Sequence, residues 1–124
     1  MTSPDDGTVL VTGASSGIGA ATVRRVDHGV DAHVVPADVR DSAEVAAAIE
    51  STVETLGSLA GVVANAGLAR GSDVESMTDD EFLTMQQVNT QGAFYTARES
   101  LAPLRETSGN IVFIGSFAAK CPRP

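Results

Sequence analysis

Tryptophan is absent from this chain of 124 residues, and aromatic residues make up only 4% of it, so any core it builds is aliphatic. There is one cysteine, Cys121, which excludes an internal disulfide and fits a reducing compartment, the cytoplasm. No apolar run is long enough to span a bilayer. The first seven residues, Met1 to Gly7, have neither a basic nor an apolar region and do not read as a secretory signal; they read as a flexible tail. Positive charge is scarce. Eight basic residues face sixteen acidic ones, a net charge of −8, and Lys120 is the one lysine beside seven arginines. Such a surface repels nucleic acid and anionic membrane. Its plain meaning is solubility. Its sharper meaning is adaptation to a salt-rich, halophilic interior, where carboxylate-rich, lysine-poor surfaces are expected.

Hydrophobic residues make up 43% of the chain, enough for one small domain, 1–124, with no linker, repeat or low-complexity tract. The pattern alternates short apolar runs with helical periodicity. Thr8–Thr12 reads as a strand and Ser16 to about Val26 as a helix. His33-Val34-Val35 reads as a second short strand. Asp41-Ser42-Ala43-Glu44 resembles a capping box opening a helix that Gly57 ends. Leu59–Ala64 is a continuous apolar run of the kind buried on both faces in a parallel sheet. Thr78-Asp79-Asp80-Glu81 opens the longest helix, expected to run to about Ala102, with Pro103 near its end. Asn110–Ile114 is the last strand. Strands separated by helices predict an α/β fold with a parallel sheet and right-handed crossovers.

The most informative stretch is Val9-Leu10-Val11-Thr12-Gly13-Ala14-Ser15-Ser16-Gly17-Ile18-Gly19-Ala20, a strand, a glycine-rich turn and a helix start. A dinucleotide pyrophosphate is held by such a unit. One glycine makes the tight turn, a second lets the backbone approach the phosphates, and a third lets the helix pack near the sheet. The helix N-terminus then offers free N–H groups to the anion. The same residues contain Gly13-Ala14-Ser15-Ser16-Gly17, which matches the nucleophile elbow of hydrolases. That mechanism needs a histidine late in the chain, and the two histidines, His28 and His33, both come just after the motif, which argues against a hydrolase. No Gly-Lys-Ser/Thr follows, which argues against a P-loop. Neither histidine has a carboxylate or cysteine partner at metal-ligand spacing, and Asp79-Asp80-Glu81 reads as a helix first turn rather than a metal site.

Four further motifs follow the glycines in order: Ala37-Asp38-Val39, Asn65-Ala66-Gly67, Val88-Asn89-Thr90, and Gly109-Asn110-Ile111-Val112-Phe113-Ile114-Gly115-Ser116. With Thr12–Gly19 they resemble the short-chain dehydrogenase/reductase family over nearly the whole chain, from Thr8 to Ala119. The resemblance implies a Rossmann-like parallel sheet with flanking helices and an oxidoreductase using NAD or NADP to move hydride between nicotinamide and a small alcohol or carbonyl substrate. It implies that Gly13, Ser15, Ser16, Gly17, Ile18 and Gly19 hold the cofactor phosphates. Asp38 and Val39 would meet the adenine, and Asn65, Ala66 and Gly67 would steady the sheet beside the cofactor. Ser116 would hydrogen-bond the substrate oxygen. Asn89, in a kinked helix, would hold a water through its backbone carbonyl.

Two departures accompany the resemblance. The family's acid/base is a tyrosine with a lysine four residues later. Here Tyr95 is followed at that spacing by Glu99, and Lys120 is preceded by Ser116. Between Gly19 and Asp38 the family fits a strand–helix unit for which Ala20–Ala37 leave no room, so the sheet is expected to be incomplete. These departures lead to the expectation of a shortened family member, inactive by itself, or a non-catalytic nucleotide-binding remnant. Homo-oligomers are expected because uncovered sheet faces and edges invite association. If the short strand at His33 slid beside the first strand, Asp38 would come near the ribose.

Overall fold

The computed structural model describes residues 7–26, 33–69 and 73–116. Of the tail expected over residues 1–7, residues 1–6 lie outside the described residues, as do His28, Lys120 and Cys121. Three strands, β1 (Thr8–Val11), β2 (Leu59–Ala64) and β3 (Asn110–Phe113), form a parallel sheet in that order. The crossover from β1 to β2 carries α1 (Gly17–Val26) and α2 (Ser42–Leu56). The crossover from β2 to β3 carries α3 (Asp79–Gln86), a π-helical turn (Gln87–Gln91) and α4 (Gly92–Thr107). Among the described residues no helix is long and apolar enough to cross a membrane.

A row of register partners, Leu10, Val62 and Ile111, runs across one face of the sheet. Val45 and Ile49 from α2, with Leu104 from α4, close the core over that row. Leu59 joins the same cluster although it lies three residues from Val62. Strict alternation would put them on opposite faces. A shift of register between Thr8 and Val9 supplies the extra residue that returns Leu59 to the core side. The other face is thinly covered, with Val9 54% and Val112 49% exposed.

α2 and α4 pack against one another, and most of the buried residues of α4 are small. Gly92, Thr96 and Ser100 are buried at a spacing of four on α4. A Cβ at Gly92 would lie 2.8 Å from Val39 Cγ2, so α4 can approach this closely only without one. The two buried hydroxyls satisfy themselves within the helix: Thr96 Oγ1 donates to Gly92 O (2.8 Å) and Ser100 Oγ to Thr96 O (2.6 Å). Neither therefore carries the cost of a buried orphan donor.

Helix ends follow the local chemistry. The Asp41 side chain accepts from Ala43 N and Glu44 N, and Gly57, at φ 91°, ends α2. The expected box at this cap is only half formed, because the Glu44 carboxylate accepts from Asp38 N (2.8 Å) instead of closing on Asp41. At Thr78 the full reciprocal box with Glu81 is present.

Three expectations are corrected. His33-Val34-Val35 forms no strand, and Val34 is 87% exposed. Three residues ending at Pro36, which has no N–H to donate, contribute too little to a ladder. The predicted long helix is divided by the π turn, and it continues through Pro103 to Thr107. Its stop is Ser108, in the left-handed region at φ 55°, with Gly109 N donating to Leu104 O at 2.9 Å.

Candidate functional site

Because all three strands are parallel, the segments leaving β1, β2 and β3 emerge on one edge of the sheet. In open α/β sheets that carboxyl edge is where ligands bind. The ladder runs on past the strands: Thr12 N donates to Val63 O at 3.0 Å and Ile114 N to Ala64 O at 3.1 Å.

Thr12 and Asn65 bolt the first two segments together. Thr12 Oγ1 accepts from Asn65 N and from Ala66 N, both at 3.0 Å. In return, Asn65 Nδ2 donates to Thr12 O at 3.0 Å and to Gly13 O at 3.3 Å. The turn at Gly13 is thereby held open in a fixed shape. Gly13 needs its φ of +67°, and a Cβ there would lie 2.8 Å from Ala66 Cα. Gly19 needs its missing side chain for a different reason: a Cβ would lie 2.4 Å from Gly13 O and 2.5 Å from Asn65 Nδ2. It brings α1 down onto the loop. Gly17 differs from both. Its φ is +54°, and a Cβ there would meet nothing within 4 Å. It faces open space at the start of α1, whose first turn contains no acidic residue. The unpaired first-turn N–H groups and the positive end of the helix are thus free to take an anion. Ser15, Ser16 and Ile18 are exposed beside it.

A cleft of about 550 Å³ opens from this turn. Gly13 and Ala66 form one side, and Pro36, Ala37, Asp38, Val39 and Glu44 the other. Asp38 therefore reaches the glycine turn although no strand forms beside β1. Its carboxylate is engaged by Arg40: Oδ1 accepts from Arg40 N and Nε, and Oδ2 from Nε and Nη2. These hydrogen bonds, with the guanidinium charge, hold the Asp38 carboxyl down at about 2. Val39 divides its role, lining the cleft while its side chain also packs on Gly92 and the core.

Asn89 sits in the π turn, the sort of irregularity that marks functional helices. Its side chain ties down the segment after β2: Oδ1 accepts from Leu68 N at 2.7 Å and Nδ2 donates to Leu68 O at 2.8 Å. Gly67 lies alongside, its Cβ position 3.6 Å from Asn89 Oδ1. Ser116 is exposed on the same edge, beyond β3. The structure thus gathers Gly13, Gly17, Asp38, Asn65, Ala66 and Asn89 around linked loops. Reading the sequence assigned no role to the Thr12 hydroxyl or to Arg40, and it placed the Glu44 carboxylate in a helix cap rather than against Asp38 N. The one signal for Thr12 was a hydroxyl residue between the strand and its glycine.

The sequence model of the family described as Enoyl-(Acyl carrier protein) reductase matches residues 4–124. Versicolorin reductase stcU of Emericella nidulans is 36% identical over 141 residues, covering 92% of this chain and 53% of the relative. Chanoclavine-I dehydrogenase of Aspergillus fumigatus is 26% identical over 161 residues, covering 100% of this chain and 62% of the relative. The chain therefore spans little more than half the length of these relatives. The match to the second extends over 161 residues, more than the 124 of this chain, so gaps open in this chain within the matched region. Among solved structures, an alcohol dehydrogenase from Thermococcus sibiricus, complexed with 5-hydroxy-NADP, superposes with a TM-score of 0.85 at 26% identity, covering 94% of this chain and 60% of that one. A 3-ketoacyl-(acyl-carrier-protein) reductase from Brucella melitensis, complexed with NADH, gives a TM-score of 0.84 at 26% identity, covering 98% and 62%.

Proposed function

The chain belongs to the short-chain dehydrogenase/reductase family, and from that premise we propose that its carboxyl-edge cleft holds a nicotinamide dinucleotide. The activity we assign to the whole protein is oxidation or reduction of a small alcohol or carbonyl compound, in the cytoplasm. The observation that carries the reading is the contrast between its glycines. Gly13 and Gly19 are glycine because protein atoms crowd them, whereas Gly17 strains its backbone beside empty space. A cradle that a side chain would fill, at a helix start without carboxylates, fits a pyrophosphate.

The residues have separable tasks in this reading. The amides of Ser16 to Gly19 bind the phosphates, and Ser15 and Ser16 add hydroxyls. Thr12 and Asn65 keep the cradle rigid before anything binds, so little ordering cost falls on the ligand. Ala66 and Gly67 form the floor, and Asp38 and Val39 flank the adenosine end. The side chain of Asn89 is committed to Leu68, which leaves its backbone carbonyl, in the π turn, to hold a water on a proton path. Ser116 donates to the substrate oxygen. When bound, the dinucleotide supplies the hydride chemistry.

A second reading is favoured by one sequence fact. No tyrosine among these 124 residues is followed four positions later by lysine. We therefore assign binding without turnover to these 124 residues by themselves. The test is paired. NADH fluorescence should change saturably on titration with the purified chain, while absorbance at the NADH band should stay constant with a panel of carbonyl compounds. Absence of saturable binding overturns the cleft assignment. Steady NADH consumption overturns the assignment of binding without turnover.

A further inference from the structure

We propose that Gly92 is a positioning residue for the cleft and the π turn at once: its bare Cα lets the Val39 side chain set the distance between the cleft wall and the helix that carries Asn89. The inference rests on the nucleotide reading above and deepens it.

Three constraints meet at Gly92. Its N–H donates to Gln87 O, the bond that closes the π turn around Asn89. Its carbonyl accepts from Thr96 Oγ1 at 2.8 Å. Its Cα faces Val39: a Cβ there would lie 2.8 Å from Val39 Cγ2, 3.0 Å from Val39 Cβ and 3.3 Å from Val39 O. The backbone gives no reason for a glycine. With φ −62° and ψ −41° the residue is ordinary α-helix, where alanine is the better helix former. The residue is buried, so the close approach of Val39 is what the missing methyl serves. Val39 in turn lines the cleft and packs on the core. Its segment has little slack to absorb a push. Asp38 N donates to Glu44 Oε2 at 2.8 Å, Asp41 N donates to Asp38 O at 3.0 Å, and Arg40 grips the Asp38 carboxylate. The strain of a methyl at position 92 is therefore shared between the cleft wall and the first turn of α4, and with that turn the bond to Gln87 O. Movement there reaches Leu68, whose N–H donates to Asn89 Oδ1 at 2.7 Å.

The full chain and its Gly92→Ala, Val39→Ala and double variants are titrated with NADH by fluorescence, and nitrogen-15 NMR follows the Leu68 amide without nucleotide. Gly92→Ala should weaken NADH binding about three- to tenfold and shift the Leu68 amide. Val39→Ala should weaken binding about two- to fivefold, because the wall loses its buttress on α4. In the double variant the new methyl meets no Val39 Cγ2, so binding should recover to that of Val39→Ala and the Leu68 amide should return toward its parent position. Losses that add in the double variant, as general destabilisation would give, overturn the inference. Gly92→Ala that binds like the parent, or that leaves Leu68 unmoved, also overturns it. If Gly92→Ala alone fails to fold, circular dichroism should show the double variant folded, and a double variant equally unfolded overturns the inference. A parent chain that binds no NADH overturns the nucleotide reading, and the Leu68 amide then still decides the joint between Val39 and the π turn.

Discussion

Gly17 and Gly19 lie two residues apart, and the structure assigns them opposite reasons for lacking a side chain. Gly17→Asn tests the first. The backbone at φ +54° costs an ordinary residue about 1–2 kcal/mol, but asparagine tolerates that region, and open space surrounds the position, so folding should lose about 1 kcal/mol or less. Gly19→Ala tests the second. Its methyl would arrive 2.4 Å from Gly13 O and 2.5 Å from Asn65 Nδ2. Either α1 lifts off the loop, or Asn65 surrenders hydrogen bonds of 3.0 and 3.3 Å, worth about 1 kcal/mol each. Better helix propensity returns at most about 1 kcal/mol. The net is a loss of about 1–3 kcal/mol, led by overpacking. Urea unfolding followed by far-ultraviolet circular dichroism measures both. With a slope near 1 kcal/mol per molar, Gly19→Ala should lower the midpoint by about 1–3 M and Gly17→Asn by no more than about 1 M. NADH titration then separates the two further. Gly17→Asn should fold and yet bind at least about tenfold more weakly, since its side chain occupies the cradle. A Gly17→Asn protein that binds like the parent refutes the cradle, and a Gly19→Ala protein as stable as the parent refutes the packing argument.

The Asp38 carboxyl should titrate near 2 by carbon NMR and return toward 3.8 in Arg40→Gln, because the guanidinium hydrogen bonds are the main cause of its depression. A folded value below the unfolded one means that the pair contributes stability above about pH 4, and that this contribution is lost as pH falls from about 4 toward 2. Arg40→Gln should flatten that part of the stability–pH curve; an unchanged curve would contradict the pairing. Both outer strands of the sheet are open edges among the described residues, and Val9 and Val112 are about half exposed. The parent chain should sediment as a mixture of assemblies, and Val9→Lys with Val112→Lys should shift it toward monomer; a sharp monomer peak from the parent at low salt would contradict this. A net charge of −8 should make melting temperature rise as KCl is added to the molar range, and a flat or falling curve would remove the salt-adaptation reading.

What could be read from the sequence was whatever short-range chemistry decides. Asp41, Gly57 and Thr78 set helix ends by bonds within a few residues, and β2 announced itself as an unbroken apolar run. Ser108 was illegible because a left-handed helix stop usually falls to glycine, and Gly109 stands next to it. Pro103 misled because a proline late in a helix removes one internal bond, which the packing of Leu104 into the core offsets. The strand expected at His33 failed because a strand exists only with a partner, and periodicity cannot show whether one is available. For the site, the glycines and Asn65 were visible as a motif, but their separate reasons were not. The Asn65–Thr12 exchange spans a separation of 53 residues, and the grip of Asn89 on Leu68 spans 21. Such bonds are fixed by the parallel sheet rather than by neighbours in the chain.

The claim on which the account depends is that a nucleotide sits along the edge from Gly13 to Asp38. Nitrogen-15 NMR of the chain titrated with NADH tests it residue by residue. The account predicts shifts of the amides of Gly13, Gly17, Gly19, Asp38 and Ala66, with those of Ser108 and Gly109, at the far end of the sheet, unmoved. Shifts confined to the far end, or none at saturating NADH, would contradict it.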